Sequence, residues 1–511
     1  MPSPYASLCA YGRQNATMQS VAALLGWDQE TYMPRGGGAA RAEQSALMAG
    51  LLHERATSPQ LGELIAACES DDALDELQRA CVREFRRDYD RATRLPRTLV
   101  EELARTGSQA QEAWKDARAK SDFSAFAPWL AKMVDLTRQK ARCYPVSEGG
   151  ELYDALLDEY EPGATARQVQ AVFEPLAERL SALIRRVAED GQAPDDAPLG
   201  IQAPRDRQHA LGLQVLEAIG FDLQRGRLDV TTHPFCQGIG PGDTRLTTRY
   251  DERYFPGALY GTLHEAGHGL YEQGLPKAST HPGPNGEPID CFGTPLAESV
   301  SLGIHESQSR LWENMVGRSE SFWAWLEPLA KDALAALGSY DREEIYRAVN
   351  IVRPSYIRVE ADEGTYNLHV MLRFELERAL VAGDLAIDDL PAAWNDRFEQ
   401  LLGLQVPDDA HGCLQDVHWS FGLFGYFPTY TLGNLYAAQF WQALGTQMPG
   451  LDDDVRKGDF APLLAWLNTN IHAHGRRFSA GQLCERVTGR SLEADPLLDY
   501  LTTKLQDVYR L

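Results

Sequence analysis

The residues with the clearest chemical potential are His264, Glu265 and His268, within the stretch Leu263 to Gly269. On a helix, two histidines four residues apart lie on the same face about one turn apart, so both imidazoles can bind one metal ion. Glu265 follows the first histidine, where its carboxylate can reach a water molecule on that metal. Zinc suits these ligands and keeps one coordination position open for water in catalytic sites. The alternative interpretation is a pair of solvated histidines on a helix surface.

A catalytic zinc is usually held by three protein ligands, so a further ligand must come from another segment. The helix predicted to resume near residue 295 offers Glu298, His305 and Glu306. Glu298 and His305 are seven residues apart and would share a helix face, whereas Glu306 would lie about 80° round from Glu298. Spacing alone leaves both glutamates as candidates, and both could equally be ordinary surface carboxylates. Their apolar neighbours favour a helix with little exposed surface, on which carboxylates need partners.

Helices are expected to position these residues. Apolar side chains at helical spacing, interrupted by proline and glycine, predict helices at 5–27, 39–58, 71–92, from Pro96 onward, 124–142, 165–190, 256–273, from about 295 past Trp312, 319–337, 341–353, 362–382, 386–403 and over much of 432–511. Two β-prone stretches, 227–232 and 244–250, flank the glycine-rich turn 238–242 and predict a hairpin or small sheet. An exposed strand edge beside the metal could hold an extended peptide.

We therefore predict a mainly α fold: one large helical domain, residues 1–511, with a deep cleft and a small sheet or hairpin beside the metal-binding helix. Within it, residues 1–200 would form an N-terminal helical portion covering the cleft. Residues 225–250 would form the small sheet, and 256–435 the zinc site and the substrate-binding portion. Length alone suggests about three domains, but the sequence has no clear linker, internal repeat or low-complexity tract.

The composition excludes several classes of partner. The net charge of −24, from 73 acidic against 49 basic residues, argues against nucleic acid or an anionic membrane. The eight cysteines include no C-x-x-C pair, so we expect no disulfide framework and no thiolate zinc site, and a reducing compartment fits. The first residues lack a basic region followed by an apolar core, and no run approaches the ~18 apolar residues of a membrane span. These features predict a cytoplasmic, soluble protein.

Several motifs, in one order, resemble those of the M32 family of metallocarboxypeptidases, the carboxypeptidase Taq family. They are Leu25 to Thr31; His233-Pro234-Phe235; Asp243 to Thr247, as D-x-R-x-T; His264 to His268; His305 to Gln308, as H-E-S-Q; Ile357 to Asp362, as I-R-x-x-A-D; and Gly412 to Trp419, as G-x-x-Q-D-x-H-W. The likeness covers nearly the whole chain, and motifs in a fixed order are far more specific than one motif. One departure is the loop 277–290, which is longer than in the family pattern and could alter access to the cleft.

The resemblance implies that Glu306, the glutamate of H-E-S-Q, is the third metal ligand beside His264 and His268. Glu298 then becomes a candidate for orienting a ligand histidine. Zinc at these ligands would lower the pKa of its water. Glu265 would take the proton of that water as it attacks the scissile carbonyl and would later deliver it to the leaving amine. Cobalt could occupy the same ligands.

The oxyanion of the tetrahedral intermediate needs a hydrogen-bond donor opposite the metal. The order of His418 and then Tyr426 is similar to the His and Tyr pair of the angiotensin-converting-enzyme-like peptidases. We therefore expect these two residues to serve as donors, with Tyr430 as the next candidate. For any one of these aromatic residues, core packing is about as good an explanation.

A carboxypeptidase must also recognise a free C-terminal carboxylate, and the planar fork of arginine makes two parallel hydrogen bonds to such a group. Arg358 is the first candidate, on its I-R-x-x-A-D match, and Arg245 is the second. Spacing alone favours instead a local ion pair of Arg358 with Asp362 at i+4. His233 is a candidate for substrate contact, although a histidine before proline often only fixes a turn. Other histidines, such as His472 and His474, are expected at the surface.

Together these features predict a zinc-dependent carboxypeptidase that hydrolyses the C-terminal peptide bond of peptides. One alternative is an endopeptidase or dipeptidase with the same zinc site. Another, from a different class, is a non-catalytic peptide-binding protein on a peptidase scaffold, and the intact Glu265 argues against it. The resemblance also implies a homodimer whose partners are peptides with a free C-terminus.

Overall fold

The structure is a computed structural model that describes residues 2–278 and 290–511, so most of the predicted long loop 277–290 lies outside the described residues. Helices dominate it. The first part of the chain forms α1 Pro4–Thr31, α2 Gly38–Ala56, α3 Pro59–Glu69, α4 Glu76–Arg94, α5 Arg97–Lys120, α6 Phe123–Arg142, α7 Asp154–Leu157, α8 Ala166–Asp190 and α9 Arg205–Ala218. After a small sheet follow α10 Phe255–Gly274, α11 Leu302–Arg310, α12 Glu320–Ala333, α13 Arg342–Val349, α14 Tyr366–Ala382, α15 Leu390–Leu402, α16 Pro428–Gln447, α17 Leu451–Lys457, α18 Ala461–Asn470, α19 Ala480–Thr488 and α20 Asp495–Tyr509. The predicted mainly α fold is confirmed.

The sheet has strands β1 Gly226–Val230, β2 Cys236–Gly240 and β3 Asp243–Thr248, in the order β1-β3-β2. Strand β3 pairs parallel with β1 and antiparallel with β2. The predicted small sheet before the histidine-bearing helix is therefore confirmed. The glycine-rich stretch was predicted to be a turn throughout, but its first part belongs to β2. Gly242 makes the tight turn from β2 to β3 at φ +78°, a conformation that glycine adopts without strain.

The chain divides into two compact units, each assembled from segments that are distant in the sequence. Unit 1 contains Met1–Thr93, Asp195–Val349 and Phe440–Ser491. Unit 2 contains Arg94–Pro194, Asn350–Gln439 and Leu492–Leu511. The division of the sequence into 1–200, 225–250 and 256–435 stays a prediction. Among the described helices, none is long and apolar enough to cross a membrane.

Helix α10 lies in the core of unit 1. Pro256 occupies its first turn, where the missing N–H breaks no helical hydrogen bond. Leu263 and Leu270 are 0% and 2% exposed. Gly267 passes directly against α11, because a Cβ atom at this position would lie 2.4 Å from the carbonyl oxygen of Gln308. The two helices therefore meet backbone to backbone, which brings α11 side chains beside the histidines of α10.

The helix predicted from about residue 295 is broken in the structure. A 3-10 turn covers Pro295–Ala297, Glu298 is extended at φ −111° and ψ 159°, and α11 begins only after Ser301. The Ser301 hydroxyl accepts a hydrogen bond from the backbone N–H of Ile304 at 3.0 Å. A serine that caps in this way starts a helix and does not continue one. The predicted common helix face of Glu298 and His305 is therefore wrong.

Helix α14 occupies the core of unit 2 and is buried on nearly all sides. It begins after a turn in which Asp362 accepts hydrogen bonds from the backbone N–H groups of Gly364 and Thr365, both at 2.9 Å. Its buried face includes two charged residues one turn apart, Arg373 and Glu377, which are both 0% exposed. Charged groups at such depth need hydrogen-bond or ion-pair partners.

Candidate active site

The imidazoles of His264 and His268 project from one face of α10, with ring centroids 4.9 Å apart. Their Nε2 atoms lie 3.6 and 3.3 Å, respectively, from Oε2 of Glu306 on α11. We searched residues 2–278 and 290–511 for His, Cys, Asp and Glu side chains that could share a metal ion. His264, His268 and Glu306 form such a group, with their ligand atoms all within 4.8 Å of one another. The structure thus brings together the three residues predicted to hold a metal ion.

Hydrogen bonds on the far side of each ring orient the two histidines. Nδ1 of His264 lies 2.9 Å from Oε2 of Glu313. Nδ1 of His268 lies 3.1 Å from the backbone carbonyl oxygen of His305 and 2.5 Å from its Nδ1. Because Nδ1 is engaged in this way, Nε2 of each ring is the atom available to a metal, and both Nε2 atoms face Glu306.

The carboxylate of Glu306 is held in its ionised form. Its Oε1 accepts from Nε of Arg310 at 2.7 Å, and its Oε2 accepts from the hydroxyl of Ser309 at 2.9 Å. Burial alone would raise the pKa of Glu306, but Arg310 and His264 hold this pKa well below its ordinary value. A metal ligand must be deprotonated, so Arg310 prepares this carboxylate for an ion.

Glu265 lies next to the first histidine on α10 and is only 6% exposed. Burial raises the pKa of Glu265 to about 7, and the nearby Glu306 carboxylate contributes in the same direction. A carboxyl group with a pKa near neutrality can both accept and return a proton, which is what a general base and acid must do.

Glu313 is a candidate for orienting the ligand histidine His264, and it was not predicted from the sequence. It lies in a π-helical turn, Leu311–Val316, that directly continues α11, and such turns are frequent at functional sites. Besides His264, its carboxylate contacts Nη1 of Arg310 at 3.2 Å. Although burial opposes ionisation, Arg310 and His264 lower the pKa of Glu313 to about 2. Its spacing of seven residues from Glu306 was the available signal, because that spacing returns to the same helix face.

Glu298, predicted to orient a ligand histidine, lies elsewhere. Its carboxylate accepts from Nη1 of Arg476 at 3.0 Å, and this arginine also contacts Glu84 at 3.0 Å and Asp88 at 2.8 Å. The extended backbone at residue 298 turns the side chain toward this ion-pair cluster. In the described part of the chain, no hydrogen bond joins it to either ligand histidine, and Glu313 makes the predicted type of contact instead.

In unit 2, Arg358 and Arg373 share the carboxylate of Asp416. Nη2 of Arg358 donates to Oδ1 at 2.8 Å, and Nε of Arg373 donates to Oδ2 at 2.7 Å. Nη1 of Arg358 also donates to the hydroxyl of Tyr366 at 2.9 Å. The local ion pair of Arg358 with Asp362, favoured by spacing, is therefore wrong. Two guanidinium groups against one carboxylate leave these three side chains with one excess positive charge.

Aromatic residues complete this group. The ring centroid of Tyr426 lies 5.5 Å from that of His418 and 5.4 Å from that of Tyr430, and Cζ of Arg358 lies 5.1 Å from the Tyr430 ring. Burial lowers the pKa of His418 to about 4, so its imidazole is neutral at pH 7. The structure thus brings four of the predicted residues together. We call the following set the arginine cluster: Arg358, Arg373, Asp416, His418, Tyr426 and Tyr430.

The remaining predicted substrate residues lie in and beside the sheet of unit 1. Arg245 on β3 makes a two-pronged contact with Asp243, with Nε–Oδ1 2.8 Å and Nη2–Oδ2 2.7 Å. Its guanidinium also lies 4.4 Å from the ring centroid of Trp27. His233 is exposed in the segment between β1 and β2.

His472 and His474, predicted at the surface, are buried, with exposures of 0% and 4%. Nε2 of His472 lies 2.8 Å from Oε1 of Gln308, and its Nδ1 lies 2.8 Å from Oδ1 of Asn468. The surface prediction is wrong because Gln308, on α11, is distant in the sequence and could not be recognised as a partner from local pattern.

Comparisons with known proteins agree with this geometry. The profile of the family described as carboxypeptidase Taq (M32) metallopeptidase matches residues 7–505. The chain is 46% identical to thermostable carboxypeptidase 1 of Thermus thermophilus, over 99% of both chains. It is 36% identical to carboxypeptidase 1 of Bacillus subtilis, over 96% of this chain and 95% of that one. The crystal structure of the M32 carboxypeptidase from Deinococcus radiodurans R1 matches with a TM-score of 0.94 at 44% identity, covering 99% of this chain and 100% of that chain. The chain therefore belongs to the carboxypeptidase Taq (M32) family and is a metallocarboxypeptidase, a peptide hydrolase.

Proposed function

We propose that this metallocarboxypeptidase uses zinc, held by His264, His268 and Glu306. The observation that carries the proposal is the convergence of two imidazole Nε2 atoms on one carboxylate oxygen at 3.6 and 3.3 Å. Ligands about 2.0–2.1 Å from a tetrahedral zinc ion lie roughly 3.3 Å from one another. The donor set therefore fits zinc in both type and spacing, and cobalt would fit the same ligands.

Zinc bound there supplies a Lewis acid and a water molecule of lowered pKa. The chain's own contribution to proton transfer is Glu265, which accepts the proton of the attacking water and returns it to the leaving amine. Its burial and its pKa of about 7 support this assignment, since a carboxylate with an ordinary, lower pKa would be a weaker base toward the proton of the water. Glu313 keeps His264 oriented through the 2.9 Å contact to Nδ1.

We propose Arg358 as the group that binds the C-terminal carboxylate of the peptide. Support comes from the excess positive charge of the arginine cluster, which a second carboxylate would balance. Arg245 is the competing candidate: its side chain is 16% exposed, against 5% for Arg358, but both its prongs already bind Asp243. His233, which is exposed, is proposed only as a further substrate contact.

His418 and Tyr426 are proposed as donors to the oxyanion. The neutral His418 ring can donate through a nitrogen-bound hydrogen, and the Tyr426 hydroxyl can do the same. Tyr430 contacts Tyr426 and is the alternative donor. Each of these rings also packs in the cluster, so activity measurements on single variants have to separate the two roles.

The test is mass spectrometry of a peptide mixture after incubation with the enzyme, with and without a chelator. Each peptide is supplied as a free acid and as a C-terminal amide. We expect loss of single C-terminal residues from free acids, no cleavage of amides, and no cleavage after chelation. Cleavage of amides would support the endopeptidase alternative, and peptide binding without cleavage would support the non-catalytic one. Metal analysis of the active protein, followed by reconstitution with zinc or cobalt, tests the metal.

We also propose that the enzyme acts as a homodimer in the cytoplasm. The homodimer rests on the family resemblance alone. The cytoplasm is supported by the cysteines, all eight of which are free thiols. Light scattering coupled to gel filtration measures the oligomeric state, and fractionation of cells measures the compartment.

A further inference from the structure

Arg373 and Glu377 on α14 find their partners in different ways. Arg373 forms an ion pair with Asp416, with Nε–Oδ2 2.7 Å. Glu377, at 0% exposure, forms no ion pair with a described residue. Burial raises the pKa of Glu377 to about 7, and hydrogen bonds from three uncharged donors act in the opposite direction by favouring the carboxylate.

Three donors converge on the Glu377 carboxylate. Oε1 accepts from Nε1 of Trp419 at 2.8 Å. Oε2 accepts from the backbone N–H of Gly425 at 3.0 Å and from the hydroxyl of Tyr153 at 2.6 Å. Trp419 and Gly425 are the two ends of one short segment, so a single side chain closes that segment into a loop. Tyr153 ties the same carboxylate to the start of α7.

The residues next to both contacts are the proposed oxyanion donors. His418 immediately precedes Trp419, and Tyr426 immediately follows Gly425. Gly425 has φ +88°, and a Cβ atom there would lie 2.7 Å from the backbone carbonyl carbon of Leu156. The backbone at Gly425 therefore has little room to adopt another conformation. A carboxylate that fixes positions 419 and 425 fixes the backbone that carries both donors.

We propose that Glu377 is a positioning residue for the hydrolysis reaction: it holds His418 and Tyr426 at the spacing at which they serve the oxyanion. This rests on the roles proposed above for those two residues. Glu377 itself does not touch the substrate. A carboxylate is needed because its two oxygens accept three hydrogen bonds, whereas an amide of the same shape would turn an NH₂ group toward some of these donors.

The primary test is Glu377→Gln, with Glu375→Gln as the matched control. Glu375 is on the same helix, but it pairs with Arg397 and its side chain is 38% exposed. We expect Glu377→Gln to lower kcat by about 10- to 100-fold, because small misplacements of catalytic groups cost factors of this size. KM and metal content should stay within about twofold, because neither peptide binding nor the metal depends on oxyanion donors. The control should match the wild type. A wild-type kcat for Glu377→Gln overturns the proposal.

A combined variant separates positioning from mere structural support. If Glu377 acts through His418 and Tyr426, then adding Glu377→Gln to a variant that carries both His418→Ala and Tyr426→Phe should lower kcat little further. A full multiplicative loss would show that Glu377 acts by some other route and would overturn the proposal. If Glu377→Gln does not fold, Tyr153→Phe takes its place. It removes one donor and leaves the carboxylate, so we expect a smaller fall in kcat with KM unchanged, and an unchanged kcat would count against the proposal.

Failure of the underlying assignment gives a different result. If both His418→Ala and Tyr426→Phe retain the wild-type kcat, the oxyanion roles are wrong, whatever Glu377→Gln does. If those variants lose activity while Glu377→Gln does not, the oxyanion roles stand and the positioning role is wrong.

Discussion

At the metal centre, Arg310 and Arg318 form ion pairs with the carboxylates of Glu306 and Glu313, and beside them lies the buried carboxyl group of Glu265, whose pKa is raised to about 7. In the arginine cluster, by contrast, two guanidinium groups share one carboxylate. Leaving buried charge uncompensated costs several kcal/mol. The proposed ligands would match these charges: a cation beside the carboxyl groups of the metal centre, and an anion, such as a peptide carboxylate, at the arginine cluster.

The same comparison separates the proposed metal site from the proposed substrate contacts. The groups proposed to hold a metal and move a proton lie on α10 and α11 of unit 1, whereas the proposed carboxylate and oxyanion contacts lie in unit 2. Variants in the first group should change catalysis or metal content for every substrate. In the second group, variants of the proposed carboxylate contact should distinguish substrates that differ at the C-terminus, whereas variants of the proposed oxyanion donors should lower kcat. Five substitutions test this division: Glu265→Gln, Arg358→Ala, Glu313→Gln, Ser301→Ala and Ser319→Ala.

Glu265→Gln should have the largest effect. The amide keeps the shape of the side chain but cannot accept and return a proton, so we expect kcat to fall by about 100- to 10,000-fold. Metal content should not change, because Glu265 is not among the three converging ligands. Kinetics with free-acid peptides measure kcat, and metal analysis of the same sample measures the metal content. A fall of less than about tenfold would place the general base elsewhere.

Arg358→Ala should act on recognition. Loss of a charged hydrogen-bond partner costs about 2–4 kcal/mol, so kcat/KM for free-acid peptides should fall roughly 30- to 1,000-fold. Asp416 keeps Arg373 as its partner, which limits the damage to folding. Metal content should be unchanged, and Arg358→Lys should lie between the variant and wild type because lysine keeps the charge and loses the fork. If Arg245→Ala shows this pattern and Arg358→Ala does not, then Arg245, and not Arg358, binds the C-terminal carboxylate of the peptide.

Glu313→Gln should weaken metal binding without abolishing it. The amide accepts the Nδ1 hydrogen of His264 less strongly than the carboxylate does. Removing the hydrogen-bond partner of a metal ligand typically lowers metal affinity about 10- to 100-fold. Competition with a chelator measures the affinity, and kcat at saturating metal should stay close to wild type. Glu298→Gln is the control, since Glu298 binds Arg476 and not a ligand histidine. An equal loss in both variants would contradict the assignment of Glu313.

What could be read from the sequence depended on how local each feature is. His264 and His268 are four residues apart on one helix, so helical geometry alone placed both rings together. Glu306 required the family resemblance, because an extended residue and a new helix start separate it from Glu298, and spacing on one assumed helix was misleading. Glu313 was missed although its spacing from Glu306 repeats a helix face.

The ion-pair partner of Arg358 could not be predicted from nearby residues. A near neighbour, Asp362, looked sufficient, but the actual partner Asp416 is 58 residues away along the chain. His472 was misassigned for the same reason, since its partner Gln308 is 164 residues away. Partners at this separation are set by how helices pack, and one sequence without its structure does not contain that information in any local pattern.

The smallest effect should come from the caps that start helices α11 and α12. Ser301 and Ser319 cap in the same way, accepting backbone N–H groups at 3.0 and 3.1 Å. Replacing either by alanine should lower the free energy of unfolding by about 1 kcal/mol. Of these two helices, only α11 carries a proposed metal ligand, so Ser301→Ala should also weaken metal binding by a few-fold while Ser319→Ala leaves it unchanged. Chemical denaturation of the metal-free protein and chelator competition measure the two quantities separately. If both variants weaken metal binding equally, then the position of Glu306 depends on the close packing of α11 against Gly267 and not on the Ser301 cap.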